Sequence, residues 1–130
     1  KYLAEKVRCG CEFLTTQMFF DNDIHYNFLY RIREAGINVP VLPGIMPMTS
    51  EKQMKRSQEL SGTVFPRRFL ALLDRFGSSA AAMEQAGIAY ATDQIIDLLS
   101  NGVNNIHIYT MNKPHVAAAI MNNLSEIIKA

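Results

Sequence analysis

The sequence predicts an α/β fold in which parallel strands alternate with helices. Three observations carry this expectation. Short β-branched and aromatic runs alternate with longer segments of helical period. The strand-like runs are almost continuously apolar, the pattern of strands covered on both faces. They also lie far apart in the chain, which suits connections that return through helices.

The expected order is α–β–α–β–α–α–α–β–α. Residues 1–10, KYLAEKVRCG, read as the last turns of a helix, with Leu3 and Val7 four apart and Gly10 as the C-cap. EFLTTQMFF (12–20) reads as a buried strand. Asp21 to Asp23 form an N-cap cluster, and Ile24, Phe28, Leu29, Ile32 and Ala35 mark one face of a helix that stops at Gly36. INVPVLPGIMP (37–47) reads as a strand ending in a sharp turn. Thr49 or Ser50 then caps a helix over 51–61, closed by Gly62. Pro66 opens a helix through Phe76. The small-residue run from Ser78 to Ala82 enters a long helix over 80–101, with Met83, Ile88, Ala91, Ile95, Leu98 and Leu99 recurring at three- and four-residue steps. NNIHIYTMN (104–112) is the third strand, and Val116 to Ile128 the last helix, with Pro114 tolerated near its first turn.

Bulk properties narrow the function. The 130 residues form one domain by length, 48% of them apolar, and a net charge of +1 with scattered cations leaves no basic stripe for nucleic acid. No apolar run approaches the ~20 residues of a membrane span. The chain starts inside a helix-like phrase with neither an initiator Met nor a signal peptide, so the true start is expected upstream. Cys9 and Cys11 are one residue apart, and His25, His107 and His115 lie far from them without ligand spacing. They read as free thiols and not as a metal or redox site. Reduced thiols point to the cytoplasm.

Polar or special residues stand where the strands should end: Thr16–Gln17, Pro43–Gly44–Ile45 and Tyr109–Thr110–Met111–Asn112. Parallel β/α (TIM-type) barrels carry their ligand-binding groups at those carboxyl ends. Three strands cannot close a barrel of eight, for which ~250 residues are typical, so the expectation is a partial barrel.

The phrases TTQMFFDND, VPVLPGIMPMTSEKQ and IHIYTMNKP, in this order and spacing, resemble the bacterial methylenetetrahydrofolate reductase family. The resemblance covers nearly the whole chain. It implies that residues 1–130 are the carboxy-terminal portion of a single barrel catalytic domain, its last three βα units. It also implies an enzyme that binds FAD, takes a hydride from NADH or NADPH, and reduces 5,10-methylenetetrahydrofolate to 5-methyltetrahydrofolate. By the same resemblance, Gln17 matches a glutamine that hydrogen-bonds the pterin beside the flavin, and Gln53 a second folate-contacting glutamine. Lys113 stands where many members have Arg, near the glutamyl or aminobenzoate part of folate, and Met111 shares that strand end. Lys6 matches a lysine approaching the FAD phosphates, and Thr15 lies on the segment touching the flavin. No catalytic residue falls within the chain, because the family's acid, its flavin-tuning Asp and most FAD contacts lie on earlier strands.

Departures from the family are specific. Ser57 stands where Phe often stacks on ligand, and Lys113 gives up the planar guanidinium fork. Tyr2 and Glu5 receive no role. Each residue also has a plain reading: Gln17 satisfying strand-end groups, Gln53 and Lys113 solvated, Lys6 a surface cation, Met46, Met48, Met54 and Met111 gap filling, and His107 a structural donor. The combination at three strand ends favours function for Gln17, Gln53 and Lys113, while His107 stays structural. The expected partners are folate and either the missing amino-terminal half of the barrel or a second copy along the open sheet edge. Two other readings stand beside this one: a noncatalytic partial barrel that binds folate or oligomerises, and an unrelated barrel enzyme with coincident strand ends.

Overall fold

Strand β1 is Leu14–Met18, β2 is Val41–Ile45 and β3 is His107–Ile108, in a computed structural model that describes residues 10, 13–61, 65–109 and 113–129. The three form one sheet in the order β1-β2-β3, with both pairings parallel. All three carboxyl ends therefore point the same way. The strands are shorter than the predicted runs, because a run is strand only where a neighbour pairs with it. His107 and Ile108 pair with Gly44 and Ile45, and β3 has no further neighbour among the described residues. The helix expected over 1–10 lies outside the described residues, apart from Gly10.

Among the described residues five helices follow the expected order. Helix α1 is Asn22–Glu34, and the Asp21 side chain accepts the Asp23 N–H at its start. Helix α2 is Glu51–Ser61, α3 is Arg67–Phe76 after Pro66, and α4 is Ala80–Ser100, capped by Ser79. Helix α5 is Pro114–Asn123. It starts two residues before the expected Val116, because proline at the first helical position needs no N–H partner and brings a helical φ. It also stops before Ile128, giving way to turns over 124–129.

Alternation along the strands divides the sheet into two faces. Val41, Ile45 and Ile108 point toward the helices. Val41 packs with Ile32 of α1, while Ile45 joins Ala91, Ile95 and Leu98 of α4 and Val116 and Ile120 of α5. Ile106 and Ile108 pack against that second group. Thr15, Gly44, His107 and Tyr109 belong to the other face: Thr15 and His107 are exposed there, while Gly44 is buried under the Tyr109 ring and Tyr109 packs against a second core that includes Met54, Phe69 and Met83 of the helices.

Helix α4 fixes the exit from β1. Buried Gln94 donates to the Phe19 carbonyl at 2.9 Å, and the Tyr90 hydroxyl donates to the Phe20 carbonyl at 2.6 Å. The first carbonyls beyond the strand are thereby satisfied by side chains and the chain is free to turn into α1. Asn22 and Tyr26 of α1 both donate to the Asp97 carboxylate, each at 2.8 Å. Those hydrogen bonds hold Asp97 below the usual carboxylate range, and burial together with Asp97 pushes the Tyr26 phenol up to about 12. Buried His25 stacks on Phe19, ring centroids 5.2 Å apart, and neither of its ring nitrogens has a hydrogen bond among the described residues.

The loop after β2 rests on α4 through Gly87. A Cβ there would land on the Met48 carbonyl, so only glycine permits the approach. Met46, Met48 and Met54 are buried with Phe20, Phe65, Phe69 and Met83. They fill a core and do not form the wall of a cofactor cleft.

Candidate functional site

The segments that follow β2 and β3 carry two predicted site residues, Gln53 and Lys113, whose side chains share one hydrogen-bond partner. After β2, residues Met46 to Ser50 lead into α2, and Ser50 caps that helix by accepting the Gln53 N–H at 3.1 Å. Gln53 is the third residue of α2, so its side chain folds back over the first turn in the manner of a capping box. Its Oε1 accepts from the Thr49 N–H and from the Thr49 hydroxyl, both at 3.1 Å. After β3, Lys113 stands immediately before α5 and its Nζ donates to Thr49 Oγ1 at 3.1 Å. Gln53 and Lys113 are thus joined through Thr49, which is buried, while both of them are half-buried.

The electrostatics of this corner favour electron-rich groups. The amino-terminal ends of α2 and α5 meet at the Lys113–Thr49 hydrogen bond, and each end carries partial positive charge from its free N–H groups. The Lys113 ammonium adds a full charge. No described residue accepts from Gln53 Nε2, which leaves the amide with hydrogens to offer.

The other predicted positions are placed as follows. Gln17 occupies β1 one residue from its carboxyl end, on the same rim of the sheet, but its side chain lies outside the described atoms. Thr15 is exposed on the sheet face opposite Val41 and Ile45, and no described residue hydrogen-bonds its hydroxyl. Lys6, Met111, Cys9 and Cys11 lie outside the described residues. Ser57 is buried on α2, one turn beyond Gln53. His107 is exposed and meets the Tyr109 ring edge-on at 4.5 Å. Among the described residues no cluster of His, Cys, Asp or Glu has the form of a metal site, and no helix is long and apolar enough to cross a membrane.

Three residues of the corner carried no role in the sequence reading. Thr49 was a candidate cap only, and the S-x-x-Q spacing from Ser50 to Gln53 was its available signal. Gly44 permits a close approach: a Cβ there would meet the Tyr109 ring at 2.6 Å and the Thr16 carbonyl at 2.8 Å. Tyr109 in turn donates to that Thr16 carbonyl at 3.1 Å, tying β3's end to β1 across β2.

The family profile of methylenetetrahydrofolate reductase matches residues 1–125. The chain belongs to that family. It is 35% identical over 126 residues to methylenetetrahydrofolate reductase (NADH) 1 of Arabidopsis thaliana, covering 97% of this chain and 21% of the plant protein. It is 31% identical over 122 residues to 5,10-methylenetetrahydrofolate reductase of Escherichia coli K12, covering 94% of this chain and 41% of that protein. The chain thus spans less than half of either reductase. Among solved structures, a Clostridium thermocellum protein described as binding two copies of 5-methyl-5,6,7,8-tetrahydrofolic acid shares the fold with a TM-score of 0.68 at 17% identity. That likeness covers 97% of this chain and 47% of the other.

Proposed function

We propose that this chain is the carboxy-terminal part of a β/α-barrel methylenetetrahydrofolate reductase, reducing 5,10-methylenetetrahydrofolate to 5-methyltetrahydrofolate with NADH or NADPH. The observation that carries the reading is the junction of Gln53 and Lys113 at the rim where parallel strands end. By the family resemblance, Gln17 and Met111 would be further folate contacts. An amide suits a pterin because it offers donor and acceptor without charge.

FAD is the cofactor this reading requires. The exposed Thr15 hydroxyl, unpartnered among the described residues, would be free to hydrogen-bond the flavin, and Lys6 would meet its phosphates. When bound, FAD supplies the hydride transfer, while the protein binds and orients. The acid that activates the folate belongs to strands outside this chain.

A parallel sheet is normally covered on both faces, and here Thr15 and His107 are exposed on one of them. At the β3 edge a groove of about 560 Å³ is lined by Leu99, Ile106, Ile108, Met121, Ile127 and Ile128. Met121 and Ile128 are 48% and 52% exposed. The amino-terminal strands of the barrel are the natural cover. At ~25 cal/mol per Å², several hundred Å² of bare core amounts to several kcal/mol, comparable with a domain's whole stability.

Two measurements test the reading. In the intact protein, Gln53→Ala and Lys113→Ala should each weaken 5-methyltetrahydrofolate binding by ~10-fold, the size of one charge-assisted or well-formed hydrogen bond. Unchanged affinity in both removes the folate reading. Gln17→Ala should lower folate turnover more than flavin retention. The isolated 130-residue chain should neither hold FAD nor turn over, and should sediment as an associated species. A well-folded monomer that binds folate without flavin would favour the noncatalytic module instead.

A further inference from the structure

The hydrogen bonds at the rim have only one possible direction. The Thr49 backbone N–H can donate but not accept, so the Gln53 atom facing it at 3.1 Å must be the carbonyl oxygen. An ammonium likewise only donates, so Lys113 Nζ gives a hydrogen to Thr49 Oγ1. The single Thr49 hydroxyl hydrogen is then left for Gln53 Oε1, 3.1 Å away. The chain runs Lys113 to Thr49 to Gln53, with no alternative assignment that keeps all three bonds.

This direction decides what the corner can offer a ligand. Both lone-pair directions of Gln53 Oε1 are taken, so the amide presents its NH₂ group outward. Lys113 spends one of its three hydrogens on Thr49 and keeps the others. Neither side chain has an acceptor left. We propose that Thr49 is a positioning residue for folate: it turns the Gln53 amide so that its NH₂ faces the ligand, anchors the Lys113 ammonium beside it, and so makes this subsite specific for an acceptor oxygen. The proposal rests on the reading that Gln53 and Lys113 touch folate, and adds which atoms they present and what holds them.

Thr49 is suited to this work by burial and by mixed chemistry. It is 4% exposed, so its hydroxyl is not exchanged for water, and the Gly87 contact with the Met48 carbonyl fixes the backbone next to it. Valine has nearly the same shape but lacks the hydroxyl. Serine keeps it.

The test uses the intact flavin-loaded protein and 5-methyltetrahydrofolate, with affinity read by titration calorimetry and turnover measured in parallel. Thr49→Val should weaken binding and raise KM by ~10-fold, with kcat, flavin content and melting temperature nearly unchanged, and Thr49→Ser should stay within about twofold of the parent. Gln53→Glu is the sharper probe. A carboxylate oxygen can still accept both Thr49 hydrogens, while the outward NH₂ becomes a second oxygen that repels an acceptor. It should weaken binding by ~100-fold, more than Gln53→Ala does, with no loss of melting temperature. If Gln53→Ala and Lys113→Ala weaken binding but Thr49→Val does not, Thr49 is not the positioning residue. If Gln53→Glu binds as well as the parent, the donor-only subsite is wrong. If Gln53→Ala and Lys113→Ala both leave affinity intact, it is the folate reading itself that fails. Should Thr49→Val fold poorly, the comparison of Gln53→Glu with Gln53→Ala decides the subsite's polarity and Thr49→Ser against Thr49→Ala decides the hydroxyl's part.

Discussion

On the helix-covered face of the sheet, Val41, Ile45 and Ile108 meet the apolar sides of α1, α4 and α5, whereas the opposite face carries Thr15, Gly44, His107 and Tyr109. Burial makes the first face a packing problem, where volume and shape decide the cost of any change. On the second face Thr15 and His107 are polar and exposed, while Gly44 and Tyr109 close against each other beside the second core. Stability and ligand binding are therefore carried by side chains that alternate along the same strands.

The largest break of this contrast is on the covered side. Ile45 is 0% exposed, and Ile45→Ala should cost about 2–5 kcal/mol in urea unfolding of the intact protein, the range for an emptied core site. A loss below about 1 kcal/mol would mean that the covered face is not the core it resembles.

Gly87→Ala comes next. The new methyl group must displace the Met48 carbonyl, so about 1–3 kcal/mol of stability should be lost, together with weaker folate binding as the loop holding Thr49 shifts. Stability lost with full binding retained would separate the loop from the site.

A smaller effect depends on pH. Burial lowers the His25 pKa, so the folded state favours the neutral ring. The stability this residue contributes is present above its unfolded value near ~6.5 and is lost as pH falls through the lower folded value. Denaturation midpoints should thus decline as pH falls below about 7, and His25→Leu should flatten that slope. Asp97, also lowered, adds to the loss at still more acidic pH. Tyr26 acts at the other limit: its stability is present below ~10 and disappears as pH rises through about 12.

The smallest effect is expected at exposed His107, where His107→Ala should change the urea-unfolding free energy of the 130-residue chain by no more than about 0.5 kcal/mol. A larger loss would show that its edge-on contact with the Tyr109 ring supports the fold.

The sequence foretold what depends on neighbours a few residues away. Helix α2 starts where its cap suggested, while its closing Gly62 lies outside the described residues, and α1 and α4 agree within a few residues because Asp21 and Ser79 announce them. Strand lengths were overestimated, since pairing partners, not apolar runs, set them. Gln53 and Lys113 were picked out through resemblance, yet nothing local says that they share Thr49: Lys113 is 64 positions from it, and only the parallel sheet brings them together. Gly87 was passed over for the same reason. A lone glycine in a helical pattern signals a close approach but not what approaches.

The clasp of α4 on the exit from β1 has a consequence for how the chain folds. The Phe19 carbonyl finds its donor 75 positions later, and the Phe20 carbonyl 70 positions later. On a ribosome, β1 and α1 emerge long before Tyr90 and Gln94 exist as part of a formed helix. Closing so long a loop carries an entropic cost that only the finished helix repays, so the corner should be among the last parts to set. Until then, the first third of the chain has a strand whose end is satisfied by water alone, and that interval is when a nascent chain is most open to chaperones and proteases.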